Sequence, residues 1–265
     1  MTRWGRWLGI IEGISLVRST RLSVNLNKVA LLRNSRLTGV PDVLEFARIV
    51  HGAGADGVTV HPRPDERHIR RTDVVGLSGL MRPWRPGFEL NVEGYPDDRL
   101  MGIVEETRPE QVTLVPDAPG AFTSDEGWRL TDAAECAMVS AYIARLKALG
   151  ARVVLFVDPD AAVVPRVRAV GGDGIEIYTG EYAAQSRGGA HSPLLAACAA
   201  AAAKAGELGM VVNMGHDLNL ENIPALAAAV PNVAEASIGH EITADALKMG
   251  FAAAVVAYRR ALRGE

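Results

Sequence analysis

Cysteine is nearly missing: Cys136 and Cys198 are the only two in 265 residues, and both lie in alanine-rich stretches that read as helix. With no CxxC pair and no dense cysteine spacing, neither a disulfide framework nor a structural zinc site is expected, and a reducing cytoplasm fits. Long apolar runs are absent as well; none reaches the roughly 20 residues that span a bilayer. Neither sign of charge dominates. The net charge of −3 offers no global field to draw nucleic acid or an anionic membrane, so any bound anion must be held by local groups. No GxGxxG follows the first strand-like segment, which argues against a dinucleotide-binding Rossmann domain. No Pro/Ser-rich linker or shift in composition divides the chain, and one domain is expected.

What is present is a core-former: 48% of residues are hydrophobic and 22% charged. From Arg21 onward, short β-branched runs alternate with Ala/Leu-rich stretches. The strand candidates are LSVNL (22–26), GVTVH (57–61), FELNV (88–92), QVTLV (111–115), RVVLFV (152–157), GIEIY (174–178), MVVNM (210–214) and EASIG (235–239). Helices are expected near 42–53, 97–107, 132–149, 160–169, 193–208, 221–229 and 243–262. Alternation at this spacing implies a parallel sheet, and eight units of this total length favour a closed (β/α)8 TIM barrel over an open doubly wound sheet. The small side chains of AACAAAAAKAGELG (196–209) would let that helix sit close to the barrel wall or to another subunit. Residues 116–131 and 179–193 are the longest stretches without periodicity, where lids usually live.

Residues 1–20 (MTRWGRWLGIIEGISLVRST) superficially resemble a signal peptide. Glu12 interrupts the apolar part, however, and no A-x-A-like cleavage site follows. The expected organisation is an N-terminal extension over 1–20, attached to the outside of a barrel over 21–265 that also carries extra helices.

Active sites of such barrels lie at the C-terminal strand ends, and polar residues gather there. Strand 1 ends in Asn25, Asn27 and Lys28, strand 2 in His61 and Arg63, and strand 3 in Asn91 and Glu93. Strand 6 carries Glu176; strand 7 ends in Asn213, Gly215, His216 and Asp217, and strand 8 in Gly239, His240 and Glu241. Four of six histidines (His61, His68, His216, His240) fall on or just after strands. A single one would read as a hydrogen-bonded structural histidine; several at equivalent positions need a common reason. A metal site is one reason, although no HxH, HExxH or 2-His-1-carboxylate spacing appears. General acid–base chemistry is the simpler one, since imidazoles titrate near neutrality and a carboxyl among apolar walls can be raised towards it.

Gly215-His216 and Gly239-His240 follow strands 7 and 8, the usual phosphate end, where glycine lets backbone N–H groups and a helix N-terminus approach phosphate oxygens. Arg36 and Arg63 are the better arginine candidates for phosphate, whereas Arg67, Arg70 and Arg71 in HPRPDERHIRR (61–71) read as a solvated face. Lysine is scarce, four against 24 arginines, so Lys28 at a strand end stands out. Its functional reading is a phosphate contact; its bland reading is a surface lysine opening the 28–34 helical turn.

The segments VNLNKVALLRNSR (24–36), AGADGVTVHPRPDERHI (53–69), LNVEGYP (90–96), EQVTLVPDAP (110–119), FVDPD (156–160), IEIYTGEYA (175–183), VNMGHDLNLEN (212–222) and SIGHEI (237–242) together resemble the pyridoxine 5'-phosphate synthase family. The resemblance covers nearly everything after residue 20, and HPRPDERHI and GHDL beside SIGH are its most specific parts. It implies condensation of 3-amino-2-oxopropyl phosphate with 1-deoxy-D-xylulose 5-phosphate to pyridoxine 5'-phosphate, phosphate and water, with no metal or organic cofactor. By resemblance, His61 and Glu93 are proton acceptors and His216 the proton donor. Asn25, Asp217, Gly239 and His240 resemble the amino-ketone contacts; Asn27, Lys28, Arg36, Arg63, His68 and Thr123 resemble the pentulose-phosphate contacts. A cytoplasmic homo-octamer without nucleic-acid or membrane partners is implied too.

The chain departs from one branch of the family in having Asn27-Lys28 for Asp-His, which bears on how the pentulose phosphate is held. Leu31 for the frequent Thr and Met214 for Ala read as packing changes. Two rival readings remain at this point: another phosphate-binding barrel of the thiamin-phosphate or indole-glycerol-phosphate synthase kind, and a non-catalytic sensor of phosphorylated metabolites. The presence of His61, Glu93 and His216 together argues against the sensor.

Overall fold

Strands rich in Val and Ile that are buried on both faces must be covered on one side by helices and closed on the other. A computed structural model, describing residues 20–117, 126–186 and 193–265, has that arrangement. The strands are β1 (Arg21–Asn25), β2 (Gly57–Val60), β3 (Glu89–Gly94), β4 (Gln111–Leu114), β5 (Arg152–Val157), β6 (Gly174–Tyr178), β7 (Val211–Gly215) and β8 (Glu235–Ile238). All pair in parallel and in chain order, and β8 closes on β1, so the barrel expected from the alternation is the one formed. Around it run α1 (Asn27–Asn34), α2 (Val43–Gly52), α3 (Arg71–Met81), α4 (Asp98–Thr107), α5 (Ala133–Ala148), α6 (Val164–Ala169), α7 (Gly180–Ser186), α8 (Pro193–Glu207), α9 (Ile223–Ala229), α10 (His240–Met249) and α11 (Phe251–Arg263).

The helix-facing side of the sheet holds the apolar core: Val24, Val58, Leu90, Val112, Leu155, Ile175, Val212 and Ala236 are all buried. The alanine-rich α8 buries Cys198, Ala201, Ala202 and Ala205 and lies on β6 and β7, so its small side chains serve the barrel wall. Capping follows the sequence. Asp42, Asp97 and Asp132 accept from backbone N–H groups at the starts of α2, α4 and α5, satisfying otherwise orphaned donors.

Three elements differ from expectation. Helix α3 directly follows the charged run read as a solvated face; Gly76 and Gly79 weaken its local signal. It is held by tertiary packing, burying Val74, Leu77 and Met81, and Gly76 faces Leu44, whose Cδ2 would lie 3.2 Å from an added Cβ. The expected 243–262 helix begins at His240 and is split at Gly250, whose φ of +85° an L side chain rarely adopts. The aperiodic stretch 179–193 contains α7, while residues 187–192 and 118–125, like 1–19, lie outside the described residues. No described helix is long and apolar enough to cross a membrane.

The inside of the barrel is unusual. Alternate strands contribute side chains in layers, normally branched and apolar. Here the pairing register stacks polar groups almost throughout. The N-terminal end carries Arg21, Glu89 and Arg152, then Gln111 and Glu235. The middle carries Ser23, Asn91 and Asn213, then Thr59, Thr113, Glu176 and Ser237. Asn25 and Glu93 stand above these, followed by His61 and Tyr178 at the C-terminal mouth.

Candidate active site

The mouth of the barrel brings together residues far apart in the chain. Asn25, at the end of β1, donates from Nδ2 to Glu93 Oε2 at 3.4 Å and accepts from the Asn27 backbone N–H at 2.9 Å. Asn27 Oδ1 in turn accepts from the His61 backbone N–H at 2.9 Å, tying the end of β1 to the end of β2. His61 Nδ1 then lies 3.9 Å from Glu93 Oε2, and the His68 ring centroid is 6.1 Å from that of His61.

Electrostatics decide the character of this pair. Burial pushes His61 well below its ordinary pKa, assisted by the positive charges of His68, Arg63, His216 and Arg99. Burial pushes Glu93 well above the usual carboxylate range, assisted by Glu176 and Asp117 and opposed by the Asn25 hydrogen bond. Both shifts oppose ionisation, so burial works against an ion pair between His61 and Glu93. Groups shifted in this way can exchange protons with a bound substrate.

One layer below Glu93, Glu176 is raised to about 8 by burial and by Glu235, although Thr113 pulls the other way. The sequence shows Glu176 as a polar strand residue only; its role in the cluster was missed. The legible signal was its place on the same strand face as Tyr178, inside a strand expected to be apolar on both faces.

His216 follows β7 with φ +82°, and Asp217 with φ +55°, two consecutive non-glycine residues in left-handed backbone. Such conformations persist where the surroundings over-determine them. Here the His216 ring packs between Phe156 and Tyr178, at centroid distances of 5.4 and 5.3 Å. The Asp217 carbonyl accepts from Asn222 Nδ2 at 3.1 Å, and the His216 carbonyl from Thr179 Oγ1 at 2.7 Å. Gly239 caps the start of α10 against Asn25; an added Cβ would lie 3.0 Å from the Asn25 Cβ, so the glycine permits the approach.

The remaining expected residues divide. Arg63 is buried, and its Nη1 donates to Asp117 Oδ2 at 2.8 Å, so its charge is already partnered by a residue of the β4–α5 loop. His68 is held to about 4 by burial and by Arg63 and Lys28, and its carbonyl accepts from Arg33 and Asn34. Arg33, one of the two arginines after Lys28, is a buried bidentate partner of Asp73 at 2.6 and 2.9 Å; it anchors the β2–α3 loop. Lys28 and His240 are exposed in the first turns of α1 and α10, and Arg36 lies in the exposed turn after α1, outside the buried cluster. Thr123 lies outside the described residues. Arg67 and Arg71 pair with Asp65 and Glu106 at the surface, matching the solvated-face reading. Met214 is buried as a packing residue; Leu31, read as packing, is instead exposed. Among the described residues no group of three or more His, Cys, Asp or Glu is arranged to hold a metal ion.

Solved structures with the same architecture include phosphoribosyl anthranilate isomerase from Thermotoga maritima, with a TM-score of 0.58 and 13% identity over 93% of this chain and 100% of that one. Thiamine phosphate pyrophosphorylase from Pyrococcus furiosus has a TM-score of 0.56 and 12% identity over 94% and 98%. These likenesses show the fold alone. Sequence relatives are much nearer. Proteins named pyridoxine 5'-phosphate synthase from Albidiferax ferrireducens and Allorhizobium ampelinum are each 49% identical, covering 92% and 91% of this chain and 98% and 97% of their own. One from Brucella suis is 46% identical over 92% of this chain and 99% of its own. Residues 22–264 match the family described as pyridoxal phosphate biosynthesis protein PdxJ, and the chain belongs to that family.

Proposed function

We propose that this chain is a pyridoxine 5'-phosphate synthase that condenses 3-amino-2-oxopropyl phosphate with 1-deoxy-D-xylulose 5-phosphate, releasing phosphate and water. The observation that carries the reading is the buried His61–Glu93 contact at the end of the barrel, in a chain of this family. Amine addition to a ketone, dehydration, phosphate loss and ring closure each move protons at different atoms, and one base cannot reach them all. His61, its pKa lowered by burial, accepts a proton. Glu93, its pKa raised by burial, accepts and returns one. His216, held by its ring packing and left-handed backbone, serves as donor from the opposite wall.

Asn25, Asp217, Gly239 and His240 hold the amino-ketone substrate, with its phosphate at the start of α10, where unpaired backbone N–H groups favour an anion. Asn27, Lys28, Arg36, Arg63, His68 and Thr123 hold the pentulose phosphate. Fixing both substrates in one cavity removes much of the entropic barrier. For Arg63 this requires substrate phosphate to share or replace Asp117.

The reading extends to a cytoplasmic homo-octamer working without metal or organic cofactor. Its self-association is supported by an apolar groove of about 660 Å³ on the outer surface, lined by Leu32, Phe46, Leu247, Met249 and Phe251. There Leu32 and Leu247 are 56% and 80% exposed, more apolar area than a lone chain needs to show. Light scattering should give eight times the 28.2 kDa chain mass. Purified protein incubated with both substrates should release phosphate and pyridoxine 5'-phosphate together, and should still do so after EDTA treatment. Consumption of neither substrate would overturn the reading, and activity restored only by added metal would overturn its cofactor-free part.

A further inference from the structure

The last two residues of α1, Arg33 and Asn34, reach across to the loop between β2 and α3, which carries Arg63 and His68. Arg33 Nε donates to Asn34 Oδ1 at 3.0 Å. Its two terminal nitrogens bind Asp73, and one of them also donates to the His68 carbonyl at 3.1 Å.

A guanidinium can only donate. The Asn34 amide must therefore turn its oxygen to Arg33 and its nitrogen to the loop. There Nδ2 lies 3.3, 3.0 and 2.8 Å from the carbonyl oxygens of Glu66, Arg67 and His68. The backbone curls at Glu66, whose φ is +48° and whose N–H donates to the Arg63 carbonyl at 3.0 Å. A left-handed turn on a non-glycine residue persists where its surroundings fix it. Asp73 completes the fixing: it is buried, binds Arg33 with both oxygens, and accepts from the Arg70 N–H at 2.8 Å.

The consequence reaches the His68 ring. The His68 carbonyl and the Ile69 N–H belong to one planar peptide group and point opposite ways. Holding the carbonyl on Arg33 and Asn34 aims the N–H back at the ring, where it donates to His68 Nδ1 at 2.9 Å. Nδ1 must then offer a lone pair, so the proton of the neutral ring is on Nε2. Burial, with the charges of Arg63 and Lys28, lowers this histidine to about 4, in agreement with a ring that keeps that lone pair. Nε2 is a donor only, which suits a phosphate oxygen. The ring centroid is 6.1 Å from that of His61, beside the catalytic mouth.

We propose that Arg33 and Asn34 are positioning residues that hold the 66–68 backbone so that His68 presents Nε2–H as a fixed donor to the pentulose phosphate. The identity of the acceptor rests on the reading of His68 as a pentulose-phosphate contact; the tautomer and its dependence on Asn34 do not.

Solid-state 15N NMR of the ligand-free full chain, labelled at histidine, separates the two tautomers, and the signals lost in His68→Gln assign the ring. Wild type at pH 7.5 should show the Nε2–H form of His68 alone. Asn34→Ala releases the carbonyls and should admit the Nδ1–H form. It should also raise KM for the pentulose phosphate about tenfold, the low end for a lost hydrogen bond to a charged group, with less effect on kcat and on KM for the amino-ketone. Asn34→Asp keeps the shape but carries no donor, and it should behave like Asn34→Ala, which a packing role would not predict. In the His68→Gln background, Asn34→Ala should raise that KM no further. An Nδ1–H ring in wild type would overturn the proposal, and that measurement needs no change in Arg33 or Asn34. A tautomer unchanged in Asn34→Ala, or an equal KM rise in the His68→Gln background, would also overturn it. An unchanged pentulose KM in His68→Gln alone would refute the reading of His68 as a substrate contact rather than the positioning.

Discussion

The two ends of this barrel bury the same kind of residue and do opposite things with it. At the N-terminal end burial pushes Glu89 up, but Arg152 and Arg21 beside it prevail and hold it below its ordinary value. Arg152 Nη2 lies 2.5 Å from one carboxylate oxygen of Glu89, and Arg21 pairs with the other. At the C-terminal end burial acts on Glu93 and Glu176 with no arginine among the described residues bonded to either, and both rise. Glu235 lies between the two regimes: burial raises it, although Arg21 opposes. Burial alone therefore does not decide what a carboxyl does; the partner does. Carboxylates bonded to arginine close the floor of the barrel, and those nearer the mouth hold their protons more tightly, the division of stability and chemistry that this fold generally shows.

The largest effects should come from breaking the mouth. Glu93→Gln, His61→Asn and His216→Asn should each lower kcat by ~10²–10⁴, the usual worth of a positioned acid or base. Their thermal unfolding midpoints should stay near wild type, and amino-ketone binding should survive in at least one; steady-state kinetics and calorimetry check both.

Breaking the floor should reverse the pattern. Glu89→Gln leaves Arg152 without its carboxylate and should destabilise the fold by about 3 kcal/mol. The low end of the range is expected because the Arg21 side chain is 33% exposed. Denaturant unfolding reads the loss, while kcat should barely change.

Lys28 sharpens the comparison, being an exposed cation in the first turn of α1 with no ion pair among the described residues. Lys28→Ala should cut kcat/KM for the pentulose phosphate by roughly 10-fold, the loss of one charge-assisted hydrogen bond, with less effect on the amino-ketone. Lys28→His should recover more of the loss than Lys28→Arg. Equal values for both substrates in Lys28→Ala would return this residue to the surface.

The smallest effect is in the pH dependence of stability, and its sign differs between the ends. Glu89 has a depressed folded pKa; its contribution is present above the unfolded value near 4.5 and is lost as pH falls through the folded one. Glu176 has a raised folded pKa. Its neutral form is favoured in the fold, so stability is present below about 4.5 and declines as pH rises towards about 8. His61 behaves as a depressed histidine, with stability held above its unfolded value near 6.5 and lost on acidification. Thermal midpoints measured against pH should therefore flatten on the acid side in Glu89→Gln and on the neutral-to-alkaline side in Glu176→Gln, by a few degrees each.

Much of this was readable from the chain. The eight strands are visible because Val and Ile cluster in short runs between helical stretches, and the mouth is visible because polar side chains end those runs. What could not be read depends on long-range partners. Arg63 reads as a phosphate ligand, and nothing in the chain shows that Asp117, in another loop, is bonded to it. Arg33 carries no signal in the chain of the buried pair it forms with Asp73, while Arg36, the preferred phosphate candidate, lies outside the buried cluster. Helix α3 is hidden because its glycines weaken the local signal, while packing against α2 and α4 supplies what the sequence withholds. Glu176 was visible as a polar residue, but its burial near Glu235, which gives it its character, follows only from the closed register.

The most direct test is the pH dependence of kcat/KM in wild type and in Glu93→Gln, under conditions where chemistry limits the rate. An acid limb with its midpoint above the ordinary carboxylate value, and its disappearance in Glu93→Gln, is the predicted result. A limb at the ordinary carboxylate value, or one unchanged by the substitution, would contradict the claim that the carboxyls at the mouth carry the acid–base chemistry.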